Sequence, residues 1–391
     1  MKRYLFAAVL LIALPTLAAD QKKQVATANN AFAIELYMKL AGNKGNLFFS
    51  PFSISSVLGM TWAGARGATA TEMATAMHFG ADTHAGLAAL GNQFTSRHPG
   101  YQLAVANRLY VKDGFKLLEP FTKLTTEQYG APVEQVDFSK DETRTQANKW
   151  VASQTNQRIK DLVPKGVFSA DTRLALINAI YFKGTWGTPF DKKATAAVPF
   201  FAAGKEVKVQ MMYADLMYGA GAAVGGSADV EVLELPYAGG EASMVILLPK
   251  NRDGLPALEK GLTPEKFNQL TSRLISRPVE VWLPKFKLEQ SFGLGATLES
   301  MGMPSAFSKE KADFSAMTGT RDLFISAVIH KAFVEVNEEG TEAAAATGVV
   351  MGITSIIPPR AVFRADHPFI FALRDNRTGA VLFLGRVVEP Q

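Results

Sequence analysis

Proton transfer or metal chemistry would have to start from five histidines, yet no two of His78, His84, His98, His330 and His367 stand at metal-ligand spacing. Cysteine is absent, which excludes thiol catalysis, zinc–thiolate sites and redox switching. No G-x-S-x-G elbow, G-x-x-x-x-G-K-[ST] loop or H-E-x-x-H pair occurs, so the patterns for serine hydrolysis, phosphate binding and zinc proteolysis are missing. Gly219 to Gly226 (GAGAAVGG) fails the dinucleotide pattern at Val224 and reads as a flexible loop. Glu338, Glu339 and Glu342 are grouped like an acid/base pair, but Gly340 separates them and no partner base is near, so they read as a solvated face. What remains is the stretch FVEVNEEGTEAAAATGVVMGITSIIPP, from Phe333 to Pro359, which reads on its residues alone as an exposed, weakly helical loop between two strands.

By propensity Thr341 would cap a helix beginning at Glu342 to Ala346, because Ala leads the helix scale and Thr favours caps. Gly340, Gly348 and Gly352 interrupt that helix within two turns. Before the stretch, Leu323 to Asn337 is apolar and β-branched, the pattern of a long sheet strand. After it, Pro358 and Pro359 cannot donate to a ladder and mark a surface turn. The segment is therefore tied at both ends and displayed, with small side chains at Thr341 and Ala343, Ala344, Ala345 and Ala346.

The rest of the chain supplies the elements that hold such a segment. Val25 to Leu40 reads as an amphipathic helix closed by Gly42, and Phe48-Phe49 as a buried strand. Pro51 opens the next helix with Ser50 as its cap. Strands are expected at Leu103 to Val111 and Leu174 to Gly184, and helices at Phe115 to Tyr129 and Asp141 to Asn156. The last segment holds two strands around Asp375-Asn376-Arg377-Thr378-Gly379.

With 391 residues and 48% hydrophobic content the chain can bury a large core. No linker, repeat or low-complexity block divides it, so one large domain is expected. Lys2 and Arg3, the apolar run Tyr4 to Leu14 and the small residues Ala18 and Ala19 read as a secretory signal over residues 1–19, leaving a mature domain at 20–391. That leader is too short to span a bilayer. The expected location is secreted or periplasmic, with no membrane partner. The formal charge of +5 is spread thinly, which argues against a nucleic-acid partner.

Several phrases together resemble the serpins: FFSPFSIS at Phe48 to Ser55, LALINAIYFKGTWGTPF at Leu174 to Phe190, VLELPY, SMVILLP, VEVWLPKFKLE, KADFSAMTG, and the displayed stretch itself. The resemblance implies an α+β fold with three β-sheets, a large mainly antiparallel central sheet, about eight or nine helices and an exposed reactive-centre loop at about 338–360. It also implies a suicide inhibitor of serine proteases, a non-enzyme needing no cofactor or metal. The protein is expected as a monomer, with loop–sheet polymers as its alternative association.

In that frame the reactive bond is Thr354-Ser355. A target protease's serine would attack the Thr354 carbonyl, form an acyl-enzyme and release the amine of Ser355. Val350, Met351 and Ile353 are secondary cleavage candidates. Thr354 suits an elastase-like or subtilisin-like pocket. The hinge is Gly340, Thr341, Glu342, Ala343, Ala344, Ala345, Ala346 and Thr347. Ser50, Ser53, Asn178 and His330 match the polar cluster called the shutter. Trp186, Lys285 and Glu338 match the breach, with Lys285 and Glu338 as an ion pair. Insertion of Thr341 to Thr354 as a strand would span about 46 Å and contribute roughly 10–30 kcal/mol in ladder hydrogen bonds. The alternative is a non-inhibitory serpin with a chaperone, carrier or storage role, whose hinge would typically carry bulky or charged residues.

Overall fold

A computed structural model of the chain describes residues 10–202, 204–217, 220–341 and 360–390, with side chains from residue 19 onward. The chain begins with α1 (Leu10–Leu40), β1 (Leu47–Phe49), α2 (Pro51–Ala63), α3 (Gly67–Met77) and α4 (Thr83–Thr95). Next come β2 (Tyr101–Lys112), α5 (Glu119–Tyr129), β3 (Glu134–Val136), α6 (Asp141–Gln154) and β4 (Leu174–Thr185). The middle carries β5 (Ala196–Ala202), β6 (Lys205–Leu216), β7 (Ala223–Gly226), β8 (Val230–Pro236) and β9 (Ala242–Pro249). It continues with α7 (Leu255–Lys260), α8 (Pro264–Thr271), β10 (Ile275–Ser276), β11 (Val279–Pro284), β12 (Phe286–Gly293) and α9 (Gly295–Ser300). A 3-10 turn at Pro304–Phe307 leads to α10 (Ser315–Thr318), β13 (Ile325–Asn337), β14 (Gly340–Thr341), β15 (Ala361–Arg364), β16 (Phe369–Asp375) and β17 (Val381–Val387).

These strands form three sheets of seven, six and four strands. The seven-stranded sheet, ordered β1-β17-β16-β9-β8-β7-β10, is antiparallel throughout. The six-stranded sheet, ordered β12-β13-β14-β4-β2-β3, mixes directions: β13 runs parallel to β4, and β2 parallel to β3. The four-stranded sheet is β15-β11-β6-β5. Helix α2 packs against β2, β4 and β17, so it lies between the two large sheets with Pro51 to Thr61 fully buried. Its N-terminus is satisfied as its residues dictate: Pro51 has no amide N–H and needs no acceptor, and the Ser50 hydroxyl accepts from the Ser53 amide.

The outer face of the six-stranded sheet is covered by α6 and the chain after it. Ala147, Val151, Ile159, Leu162 and Val163 pack on Ile177, Tyr181, Ile329 and Phe333, which belong to β4 and β13.

The structure departs from the expectations in several places. It has ten α-helices among the described residues where eight or nine were expected; three of them are six residues or shorter, too brief to show a periodic apolar face. Helix α1 starts at Leu10 instead of Val25, since the Leu- and Ala-rich leader is itself a strong helix former. Ala223 to Gly226 forms β7 against β8, so part of the expected flexible loop is a strand. Thr341 lies in β14 with ladder bonds to two neighbouring strands, and the helix it was expected to cap, Glu342 to Ala346, lies outside the described residues.

Candidate functional site

The parallel pairing of β13 with β4 runs from Ile325–Leu174 to Phe333–Tyr181 and stops there. Above that point the two strands are held apart by β14, which pairs antiparallel with both: Val336 with Thr341 and Asn337 with Gly340 on one side, Thr185 with Gly340 and Gly184 with Thr341 on the other. The first two hinge residues are thus already a strand in the six-stranded sheet. Gly340 must be glycine, since a Cβ there would lie 2.0 Å from the Gly184 carbonyl oxygen. Thr341 is fully buried, and its hydroxyl is 2.7 Å from the Tyr237 phenol. Burial pushes the Tyr237 phenol far up, so it remains protonated and able to donate.

A clamp surrounds this docked strand. The Trp186 indole donates to the Asn337 carbonyl at 2.9 Å, the Trp186 amide to the Glu339 carbonyl at 3.0 Å, and the Phe190 amide to the Glu338 carbonyl at 2.8 Å. Trp186 is 1% exposed and stacks on Tyr237 with ring centroids 4.8 Å apart. Lys285 Nζ donates to both Glu338 carboxylate oxygens at 3.1 and 2.9 Å, and Thr195 Oγ1 donates to Oε1 at 2.9 Å. Burial pushes the Glu338 carboxyl up, but the hydrogen bonds from Lys285, its own backbone amide and Thr195, with the Lys285 charge, outweigh it and hold the group below the usual carboxylate range. Glu338 is therefore buried and ionised, which corrects its reading as part of a solvated face. Lys192 pairs with Glu339 beside it.

Lower down, a polar row crosses three strands at one level: His330 on β13 is registered with Asn178 on β4, and Asn178 with Asn107 on β2. His330 Nε2 accepts from the Ser50 amide at 3.0 Å. That contact leaves Nδ1 to carry the proton and donate to Asn178 Oδ1. The Asn178 amide nitrogen then donates to Ser53 and Asn107. The Ser50 hydroxyl donates to the Leu382 carbonyl at 2.6 Å, tying the row to the seven-stranded sheet. Ser50, Ser53, Asn178 and His330 are all 0% exposed, and burial lowers the His330 ring to about 3, so it is neutral.

The structure thus brings Ser50, Ser53, Asn178 and His330 together, and likewise Trp186, Lys285, Glu338, Gly340 and Thr341. Glu342 to Thr347, Val350, Met351, Ile353, Thr354 and Ser355 lie outside the described residues. Sequence reading missed Tyr237, Thr195, Lys192 and Asn107. Tyr237 was within reach, as the final residue of VLELPY; Asn107 needs the register of three strands before it means anything. Among the described residues no cluster of His, Cys, Asp and Glu could hold a metal ion, and no helix is long and apolar enough to cross a membrane.

The described residues form an α+β domain of three sheets in which the parallel seam between β13 and β4 is wedged open at its top by a two-residue strand. The chain belongs to the serpin (serine protease inhibitor) family, which it matches over residues 27–390. It is 44% identical to leukocyte elastase inhibitor A of Mus musculus, covering 94% of this chain and 100% of that protein. It is 42% identical to serpin B8 of Homo sapiens, covering 93% and 98%. Among solved structures, uncleaved ovalbumin superposes with a TM-score of 0.83 at 31% identity, covering 94% of this chain and 100% of the other.

Proposed function

We propose that the protein is a suicide inhibitor of serine proteases, trapping its target as an acyl-enzyme when the cleaved reactive-centre loop inserts as a strand between β13 and β4. The observation that carries this reading is the docked pair Gly340-Thr341: the same chain that would insert is already registered between the two strands that would receive it. Cleavage at Thr354-Ser355 would free fourteen residues from Thr341 to Thr354 to continue downward. The hinge residues Glu342 and Ala343 to Ala346 are small enough, apart from the glutamate, to follow.

Insertion replaces one parallel pairing by two antiparallel ones. The eight registered pairs between β13 and β4 must be given up, so the net gain is on the order of ten ladder hydrogen bonds, roughly 5–15 kcal/mol. That is smaller than the expectation from the loop alone, because the walls of the slot are bonded to each other beforehand. It still equals the stability of an ordinary domain. The free energy would drag the tethered protease about 46 Å and distort an active site in which each lost oxyanion donor weakens transition-state stabilisation by about 2.7–4 kcal/mol.

The relatives named as elastase inhibitors agree with Thr354 as the residue offered to a shallow apolar pocket, so elastase-like and subtilisin-like enzymes are the proposed targets. Export of the chain is part of the same reading. The family match begins at residue 27, and Gln21, bonded to Asp82, with Lys22, bonded to Gln93, ties the head of the mature helix to the domain. Cleavage near Ala19 would place Asp20 at that helix N-terminus, where a carboxylate is favoured.

The test is incubation of the mature protein with elastase or subtilisin. A band near the summed mass that survives boiling in detergent is expected, and Thr341→Arg should abolish it while leaving the loop cleavable. Turnover of the unaltered chain without such a band would leave a non-inhibitory serpin.

A further inference from the structure

A further buried charge cluster sits at the C-terminal end of α1. Arg386 on β17 reaches across to the loop that follows this helix: Nε donates to the Gly45 carbonyl at 2.9 Å, Nη1 to the Ala41 carbonyl at 3.1 Å, and Nη2 to the Asn43 carbonyl. Nη1 also donates to Glu259 Oε1 on α7 at 2.7 Å, and the same oxygen accepts from the Tyr37 hydroxyl at 2.6 Å. Four of the five guanidinium hydrogens are thus used, and the last, on Nη2, meets no acceptor among the described residues. The side chain that carries it is only 6% exposed.

This guanidinium lies in the wall of a cavity of about 590 Å³, a size that suits a small organic ligand. Ala41, Leu255, Pro256, Pro368 and Val388 give the cavity apolar sides. Its charged residues are Lys44, Arg252, Asp253, Glu259 and Arg386, so three cations meet two carboxylates. Glu259 is neutralised by Arg386, and Asp253 stands next to Arg252, whose guanidinium lies 3.4 Å from the Phe201 ring. Lys44 supplies the surplus charge. It has no ion-pair partner among the described residues, and Arg386 holds the carbonyls of the residues on either side of it.

That lining selects its ligand by exclusion. A wholly apolar molecule leaves the buried Arg386 hydrogen unpaired, which is unfavourable. An inorganic anion leaves the apolar sides in water. A cation meets a surplus of its own sign. One carboxylate on an apolar body satisfies the hydrogen, the sides and the charge together.

We propose that this cavity binds an amphipathic monocarboxylate of the fatty-acid class, its carboxylate on Lys44 and the remaining Nη2 hydrogen of Arg386, its chain along Leu255, Pro256, Pro368 and Val388. A smaller hollow of about 330 Å³ shares Lys44 and Arg386 but is walled by Glu289, Gln290 and Ser291, a polar lining unsuited to such a chain. The bound ligand bridges the end of α1, α7 and β17, and it stabilises the folded state by mass action. The site shares no residue with the seam between β13 and β4 or with Thr354-Ser355, so it does not rest on the inhibitor reading.

Decanoate, kept below the concentration at which it forms micelles, is titrated calorimetrically into the protein, with decanol and inorganic phosphate as controls. Saturable binding of one decanoate per chain is expected, with a raised thermal midpoint and no comparable binding of either control. Lys44→Glu, a substitution at an exposed position, should weaken the affinity about tenfold or more through loss of a charged hydrogen bond. Val388→Trp fills the cavity and should abolish binding. Both variants are first checked for an unchanged denaturant midpoint without ligand, and Lys44→Glu carries the test alone where Val388→Trp fails that check. Absence of saturable decanoate binding, equal binding of decanol or phosphate, or variant affinities within twofold of the parent overturns the proposal.

Discussion

The Thr341 hydroxyl lies 2.7 Å from the Tyr237 phenol, with both groups sealed from solvent. This one contact joins the start of the insertable segment to the end of β8, across the top of the six-stranded sheet. Because Tyr237 also stacks on Trp186, and Trp186 holds the carbonyls of Asn337 and Glu339, the docked hinge and its clamp act as one unit.

Tyr237→Phe keeps the stacking and removes the hydroxyl that meets Thr341. A buried hydroxyl left without its partner costs about 1–3 kcal/mol. The variant should unfold at a lower denaturant midpoint than the parent, and Tyr237→Phe combined with Thr341→Val should recover much of the loss. A double variant no more stable than the single one would show that the contact carries little.

Glu338→Lys removes the carboxylate that Lys285 and Thr195 hold and places two cations together at the top of the seam. The clamp on β14 then loosens by roughly 2–3 kcal/mol or more, given the charged hydrogen bonds lost. Expected is faster formation of high-mass species on mild heating, read by size-exclusion chromatography. A monomer that persists as long as the parent would sever the pair from control of the seam.

Acid should weaken the protein through His330. Its folded-state value near 3 lies below the usual 6.5, so the unfolded chain binds a proton that the native chain refuses. The stability this group contributes is complete above pH 6.5 and is lost progressively as pH falls toward 3, on the order of 4–5 kcal/mol over the whole window. His84, lowered by its burial, acts in the same direction. Between pH 6.5 and 5 the carboxylates held low, Glu338 and Asp313 among them, do not yet titrate. Denaturant midpoints across that interval should fall for the parent and fall less for His330→Asn, whatever its absolute stability.

Cleavage near Thr354 should raise the melting temperature by roughly 5–20 °C if insertion adds roughly 5–15 kcal/mol, since a chain of this length shifts about one degree per 0.8 kcal/mol. Calorimetry before and after limited proteolysis checks this. An unchanged midpoint would mean that the freed strand finds no slot.

Much of this was written into local sequence. Ser50 followed by Pro51 specifies a capped helix start and the continuous apolar run at Leu174 specifies a strand buried on both faces, because each depends on backbone chemistry within a few residues. The pairing of Lys285 with Glu338 was expected from the serpin resemblance alone. The chain by itself could not show that Thr341 sits in a sheet: its neighbours favour a helix cap, and only the open top of the β13–β4 seam, with Gly184 and Tyr237 as walls, makes a strand the better state. Nor could it show that Asn107, Asn178 and His330 form one hydrogen-bonded row, since residues so far apart in sequence meet only once three strands adopt a common register. Short-range preference is readable one residue at a time; register, burial and the competition between parallel and antiparallel pairing are properties of the assembled sheet.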